Sequence, residues 1–327
     1  MNAQAISLNQ ALRSNLRPFD IRRDLVPVAD LVELCFADNL DADGRLYIRQ
    51  MRQAARSGPL LDLASAGGSQ IDLPMGGYVW QEGDRVVGNL SLIPHRRSGE
   101  RLYLIANVAV HPDYRKRGVA RALTQAALED IERRGRKETW LQVDENNPTA
   151  VGLYRSMGFR ERLRRTSWRL QPRRQPTMES DARVTLRHRR PSDWPAQKIW
   201  LRNNYPAVVR WQLPLDFRLL QPGLKGGLQR LLSERQVLQW GVEGKDGLLG
   251  ILSWQSSSLE ADRLWLAAQP GIEDQAIPVL AGHAHAVLRP GRTLALNYPA
   301  RRAEQAFTRS GFQAVRTLIW MDYPWPQ

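Results

Sequence analysis

The chain has 327 residues, 43% of them hydrophobic and 24% charged, and a formal net charge of +14. That length suits two domains of roughly 150 residues, each able to bury its own core. No apolar run approaches the roughly 20 residues that a membrane-spanning helix needs. The single cysteine, Cys35, excludes an intramolecular disulfide. A cytoplasmic protein without membrane association is therefore expected. Residues 1–17 lack a basic stretch followed by an apolar one and read as a polar tail, not a secretory signal. Of 47 basic residues, 42 are arginine, spread in short runs. This balance favours anionic partners, phosphate groups and nucleic acid among them. No run is long or interleaved with aromatics as a nucleic-acid platform would be, so a solvated arginine-rich surface is the preferred reading.

In chain order, Phe19 to Arg22 reads as a short strand. Leu25, Val28, Leu31, Val32 and Cys35 then share one helical face up to Phe36, and a second, more basic helix is expected over Arg45 to Ala55. The period switches at Gly77 to Gln81 and Arg85 to Leu92, two strands joined by the turn Glu82-Gly83-Asp84. Leu102 to Val110 is too apolar to alternate and reads as a strand buried on both faces, with Asn107 the one strongly polar side chain in its interior. A long amphipathic helix follows from Gly118 to Arg134, with Val119, Leu123, Ala126, Ala127 and Ile131 as its stripe. Glu138 to Val143 is a strand, Pro148 to Ser156 a helix capped by Asn147 and closed by Gly158, and Leu163 to Leu170 a last strand.

Residues 172–181 carry two prolines and no apolar period, and read as a linker. Beyond them come strand Val184 to Leu186, helical stretches around Pro214, a hairpin-like Val237 to Trp254, and strand Arg263 to Ala267. Helix Ile277 to Leu288, strand Leu294 to Leu296, helix Ala303 to Arg309 and strand Val315 to Met321 complete the series. The order repeats that of the first half, which points to an internal duplication. The organisation expected is a tail 1–17, a domain 18–171, a linker 172–181 and a domain 182–327. Tryptophan is uneven, with three residues in the first half and eight in the second, most of them expected in the core.

The chemistry-bearing segment is His111-Pro112-Asp113-Tyr114 followed by Arg115-Lys116-Arg117-Gly118-Val119-Ala120, placed between a buried strand and a long helix. First-turn amides of a helix lack intrahelical acceptors, and the helix dipole adds positive charge there, so an anion is favoured. Gly118 and the small Ala120 permit close approach to a bulky diphosphate, and Arg115 adds charge-assisted bonds. About thirty residues on lies Asn147-Pro148-Thr149-Ala150-Val151-Gly152-Leu153-Tyr154-Arg155-Ser156-Met157-Gly158-Phe159. Residue by residue, Asn147 is a helix cap, Gly158 a C-cap and Phe159 core, and Tyr154 has a packing role open to it.

Together the two segments, R-x-x-G-x-A and N-x-x-A-x-x-L-Y-x-x-x-G-F, resemble the GCN5-related N-acetyltransferase (GNAT) superfamily over roughly residues 18–170. The resemblance implies an α/β (mixed α+β) fold. It would comprise two tandem acyl-CoA N-acyltransferase-like domains, each a mixed, mostly antiparallel sheet flanked by helices. It implies acetyl-coenzyme A as co-substrate, no metal, and an amine acceptor, either a small molecule or a protein N-terminus. Val108, Ala109 and Val110 would pair with the pantetheine arm. The amides of Arg115, Lys116, Arg117, Gly118, Val119, Ala120 and Arg121 would hold the diphosphate, and Asn147 and Ala150 would meet the cofactor arm. Tyr154 would protonate the departing thiolate, and the amide of Val110 would polarise the thioester carbonyl. The amine attacks directly, so no protein nucleophile is needed. The entering strand carries no acid, which leaves His111, Asp144 and Glu145 as the base candidates.

Placing Gly311 on Gly158 puts Phe307 on Tyr154 and Ala300 on Asn147. The segment Gln269 to Gln275 has acids where a diphosphate would sit, so the second half reads as a degenerate copy. The paired layout is similar in outline to the mycothiol synthase family, in which the C-terminal copy is implied to be the active one, whereas here the intact motifs are N-terminal. The alternative reading is a non-catalytic coenzyme A-binding or RNA-associated module.

Overall fold

The computed structural model describes residues 14–37, 42–56, 76–97, 99–171, 184–233, 235–288 and 291–326. The expected linker 172–181, and the expected tail up to residue 13, lie outside the described residues. Contacts divide the chain into two compact units. One holds Met1–Val143, Asn147–Arg162 and Trp320–Gln327; the other holds Asp144–Asn146 and Leu163–Ile319.

In the first unit, β1 (Leu16–Pro18), β2 (Gly77–Glu82), β3 (Arg85–Arg97) and β4 (Glu100–Val110) pair antiparallel in that order, and β5 (Glu138–Asp144) joins β4 in parallel. The expected strand over Phe19 to Arg22 is instead the start of helix α1 (Ile21–Phe36). The reason is local: the Asp20 carboxylate accepts from the Arg22 amide at 2.9 Å, which caps a helix there. Asp24, one turn in and 1% exposed, accepts from Arg17 at 2.6 and 2.7 Å and from the Asp20 amide at 2.8 Å, tying the helix start to β1. Leu25, Val28, Leu31 and Val32 of α1 and Ile48 and Met51 of α2 (Ala42–Arg56) bury against Val79 and Ala109 of the sheet. Each such side chain contributes about 1.5–3 kcal/mol on full burial, so packing outweighs helix propensity here. The other face carries α3 (Val119–Arg133), with all five residues of its expected stripe buried. A Cβ on Gly88 would stand 2.8 Å from Val119 Cγ1 and 2.9 Å from Trp80 Cβ, so α3 reaches β3 this closely only over a glycine. Helix α4 (Pro148–Ser156) matches its expected bounds.

In the second unit, β7 (Thr185–His188), β8 (Val237–Gly244), β9 (Gly247–Gln255) and β10 (Ala261–Ala268) are antiparallel, and β11 (Thr293–Pro299) joins β10 in parallel. Residues 165–170 of β6 (Arg160–Leu170) pair antiparallel with β11. The helices are α5 (Trp194–Asn204), α6 (Ala207–Arg210), α7 (Phe217–Leu220), α8 (Gly223–Leu232), α9 (Glu273–Val287) and α10 (Glu304–Arg309). Helix α9 begins before the expected Ile277 because Glu273 and Asp274 suit the positive end of its dipole. Trp240, Trp254 and Trp265 are core residues, as expected. Both units thus contain a parallel strand–helix–strand, β4-α3-β5 and β10-α9-β11.

The last strand, β12 (Gln313–Tyr323), contributes to both units. In the second, the Thr317 hydroxyl lies 2.9 Å from that of Thr166. In the first, Trp320 meets Trp140 edge-on at 6.4 Å, and Tyr323 meets Phe159 at 5.2 Å.

Burial pushes the Asp24 carboxyl up, but bonds from Arg17, the Asp20 amide and Arg23 outweigh it and hold the group below its usual range. A depressed folded pKa gives stability that is present above the unfolded value near 3.9 and is lost as pH falls through the folded one. Asp24→Asn is therefore expected to cost about 1–3 kcal/mol at pH 7. Its gap in melting temperature from the wild type should narrow below about pH 4. An equal gap at pH 7 and pH 3 would contradict the ion-pair account.

Candidate active site

β4 and β5 pair from Leu102↔Glu138 to Ile105↔Leu141 and then part. On its other edge β4 continues to pair with β3 as far as Gly88↔Val110, with a register shift between Asn89 and Ser91. The extra residue is absorbed at Asn107, whose φ of 50° lies in the left-handed region that Asn tolerates better than most residues. Its neighbours fix it. Asn89 Nδ2 donates to the Asn107 carbonyl at 2.9 Å, and Asn107 Nδ2 donates to the Tyr47 hydroxyl at 3.0 Å and to Ser91 Oγ at 3.2 Å. Beyond the bulge, the His111 amide donates to the Val87 carbonyl at 2.9 Å. Backbone direction alternates along a strand, so Val108 and Val110 turn their amides toward the opened edge. Such an edge is a template for an extended ligand that carries amides of its own.

β4 runs out through a short 3-10 turn (Pro112–Tyr114) into Arg115-Lys116-Arg117-Gly118. Lys116 (φ 61°) and Gly118 (φ 82°) are both left-handed, which curls successive amides into a concave nest. The first backbone bond of α3 runs from Ala122 N to Gly118 O, so the amides of Val119, Ala120 and Arg121 have no intrahelical acceptor. A Cβ on Gly118 would meet nothing within 4 Å: the space beside the nest is open. Arg115 folds back, its Nε donating to the Val110 carbonyl at 3.1 Å, and the Cys35 thiol donates to the same oxygen at 3.3 Å. Arg117 lies 5.0 Å over the Tyr114 ring, and Arg121 Nη2 donates to Ser156 Oγ at 2.7 Å, joining α3 to α4. The result is a backbone cradle with exposed basic side chains at its rim.

On α4, Asn147 Oδ1 accepts from the Ala150 amide at 3.0 Å, so its capping role is realised. Tyr154 is 6% exposed, packs edge-on against Phe159 at 5.8 Å, and has no hydrogen-bond partner among the described residues. Burial alone pushes its phenol above the usual value of 10, so it is protonated at neutral pH.

The base candidates are differently placed. Arg85 Nη2 stands 2.8 Å from His111 Nε2. An arginine can only donate, so that lone pair is engaged. Glu145 accepts from Arg164 and, at 3.0 Å, from Arg301. Asp144 Oδ1 accepts from the Asn146 amide at 2.9 Å, a local turn. The reading of the sequence did not anticipate the cluster of Asn89, Ser91, Asn107 and Tyr47. The signal was present as one polar residue, Asn107, in an apolar strand.

Residues 45–159 match the model of the acetyltransferase (GNAT) family. The [ribosomal protein bS18]-alanine N-acetyltransferase of Escherichia coli strain K12 is 44% identical over 55 residues, 17% of this chain and 37% of that protein. The chain thus spans little more than a third of the length of that relative. A mycothiol acetyltransferase of Kocuria rhizophila is 30% identical over 159 residues, 47% of this chain and 48% of that one. Among solved structures, a GCN5-related N-acetyltransferase from Sphaerobacter thermophilus superposes with a TM-score of 0.58 at 15% identity, covering 94% of this chain and 95% of that one. The fold is that of the GNAT acyl-CoA N-acyltransferases. A tandem GNAT protein from the clavulanic acid biosynthesis pathway superposes with a TM-score of 0.51 at 17% identity, covering 95% of this chain and 99% of that one. The two-unit layout therefore has a counterpart at the level of fold.

The cradle generates a direct expectation. Gly118→Glu places a carboxylate beside the nest and strains its φ, so coenzyme A should raise the melting temperature of the wild type and not of the variant. At a hundredfold excess over Kd the wild-type rise corresponds to about 2.7 kcal/mol. A rise that survives in Gly118→Glu would place the anion elsewhere.

Proposed function

We propose that the first unit is an acetyl-coenzyme A-dependent N-acetyltransferase. The observation that carries this reading is the parting of β4 and β5 directly before the nest at the start of α3. It supplies an amide edge and an anion cradle in succession, the two anchors that a pantetheine arm ending in a diphosphate requires. In this reading Val108 and Val110 pair with the arm, and the amides of Arg115 to Arg121 hold the diphosphate. The Val110 amide polarises the thioester carbonyl as it becomes an oxyanion.

The acceptor nitrogen, as free base, attacks that carbonyl carbon. The carbon–sulfur bond breaks, the thiolate takes a proton from Tyr154, whose hydroxyl has no hydrogen-bond partner among the described residues, and the proton that the attacking nitrogen sheds passes to solvent, from which the phenolate is reprotonated. Alignment of amine and thioester supplies much of the acceleration. The acceptor is an amine of a small molecule or of a protein N-terminus. Similarity to an enzyme named for an alanine of a ribosomal protein supports the second. The second unit is read as a degenerate copy, with Phe307 where the first has Tyr154. The site needs no metal in this chemistry.

Tyr154→Phe is expected to keep the melting-temperature rise given by acetyl-coenzyme A while lowering kcat on a responsive amine by about 10²–10⁴-fold. Unchanged turnover would remove Tyr154 from the acid role. Absence of turnover across α-amines, aminosugars and N-terminal peptides, with coenzyme A binding retained, would favour a binding module.

A further inference from the structure

The second unit repeats the parted strands of the first unit's notch and carries a left-handed glycine shortly before the helix that follows. β10 and β11 pair from Ala261↔Thr293 to Leu264↔Leu296 and then part. β10 goes on pairing with β9, and the Gln269 amide donates to the Leu249 carbonyl at 2.9 Å. By alternation, Leu266 turns its backbone to the opened edge, as Val108 does in β4. Gly271, left-handed at φ 87°, stands two residues before α9, one residue further out than Gly118 stands from α3.

Both anchor points are already taken. Asn204 Nδ2 donates to the Leu266 carbonyl at 3.1 Å, and the Leu266 amide donates to the Tyr205 hydroxyl at 3.3 Å. At the helix start, the Gly271 amide donates to Glu273 Oε2 at 2.7 Å. The other oxygen of Glu273 accepts from Arg302, whose second nitrogen donates to Asn204 Oδ1 at 3.1 Å. Asn204 is 1% exposed and Glu273 7%. One hydrogen-bonded chain therefore runs from the splayed strand to the start of α9 through Asn204, Arg302 and Glu273. An acid in the first turn of a helix is ordinary capping. A link from that acid through Arg302 to a buried residue on a parted strand edge is not.

We propose that these side chains act as an internal ligand. Asn204 and Tyr205 stand in for a pantetheine arm, and Glu273 stands in for the diphosphate. The second cleft is thereby filled by the chain itself, and a latent diphosphate cradle lies beneath Glu273. The proposal rests on reading the first unit's notch as the coenzyme A site.

Inorganic diphosphate is the probe, used on the full chain carrying Gly118→Glu so that the first cradle is blocked. The melting temperature of this chain should not respond to millimolar diphosphate, and that of Gly118→Glu with Glu273→Gln should rise by several degrees. A rise without Glu273→Gln would show an open cradle and overturn the proposal. So would a flat response in the double variant, which would leave Glu273 a helix cap only. Should Glu273→Gln fail to fold, calorimetric titration with coenzyme A decides. One equivalent per chain, lost entirely in Gly118→Glu, supports self-filling, and a second or surviving equivalent overturns it. A wild type that binds no coenzyme A overturns the proposed function instead, and the diphosphate responses still decide this inference.

Discussion

The structure turns on what happens when two parallel strands part. Paired strands satisfy each other's backbone groups; parted strands leave them bare, and a bare buried amide or carbonyl is costly. Something has to meet them. In the first unit the opened edge of β4 leads into the nest at α3. In the second unit the same opening in β10 is met by Asn204 and Tyr205. One backbone event thus has two outcomes, and a few side chains at the C-terminal end of α5 separate them.

The bulge at Asn107 belongs to the same economy of backbone bonds. A non-glycine residue in the left-handed region costs on the order of 1 kcal/mol or more, and persists where its surroundings fix it. Asn89, Ser91 and Tyr47 do so by bonding both the carbonyl and the carboxamide of Asn107. In the second unit the supporting element is Arg165, 2% exposed, which donates to the carbonyls of Asn204 and Asn297 at 2.7 and 3.0 Å. Its guanidinium lies 5.0 Å over the Tyr205 ring. Burial lowers its pKa to about 10, still charged at neutral pH. Among the described residues its three hydrogen bonds, one from each nitrogen, all go to neutral oxygens. Here it holds in place the two residues that close the cleft.

Much of this was legible in the chain. The spacing of Val119, Leu123, Ala127 and Ile131 gave α3 because a helix packed on one face repeats every three to four residues. Asn147 and Gly158 bounded α4 through capping chemistry that is local in sequence. The R-x-x-G-x-A and N-x-x-A-x-x-L-Y segments fall on the left-handed turn before α3 and on helix α4. Other features could not be read. The engagement of His111 by Arg85 joins residues far apart in sequence, and the pairing of Glu145 with Arg301 more so. The strand expected over Phe19 to Arg22 was misread because Asp20 is equally at home in a turn and at a helix cap. The acids near α9 were visible as a mismatch to diphosphate, but their link to Asn204 needed the fold.

The division of β12 between units has a consequence for biosynthesis. Trp320, Tyr323 and Trp325 pack on Trp140, Phe159 and the Lys137 carbonyl, so the first unit lacks part of its packing until residues 320–326 have been made. Domains usually complete in the order of translation, at about 5–20 residues per second. This one must wait roughly ten to thirty seconds beyond the synthesis of its own helix α4. The unit that carries the cradle is thus begun first and finished last.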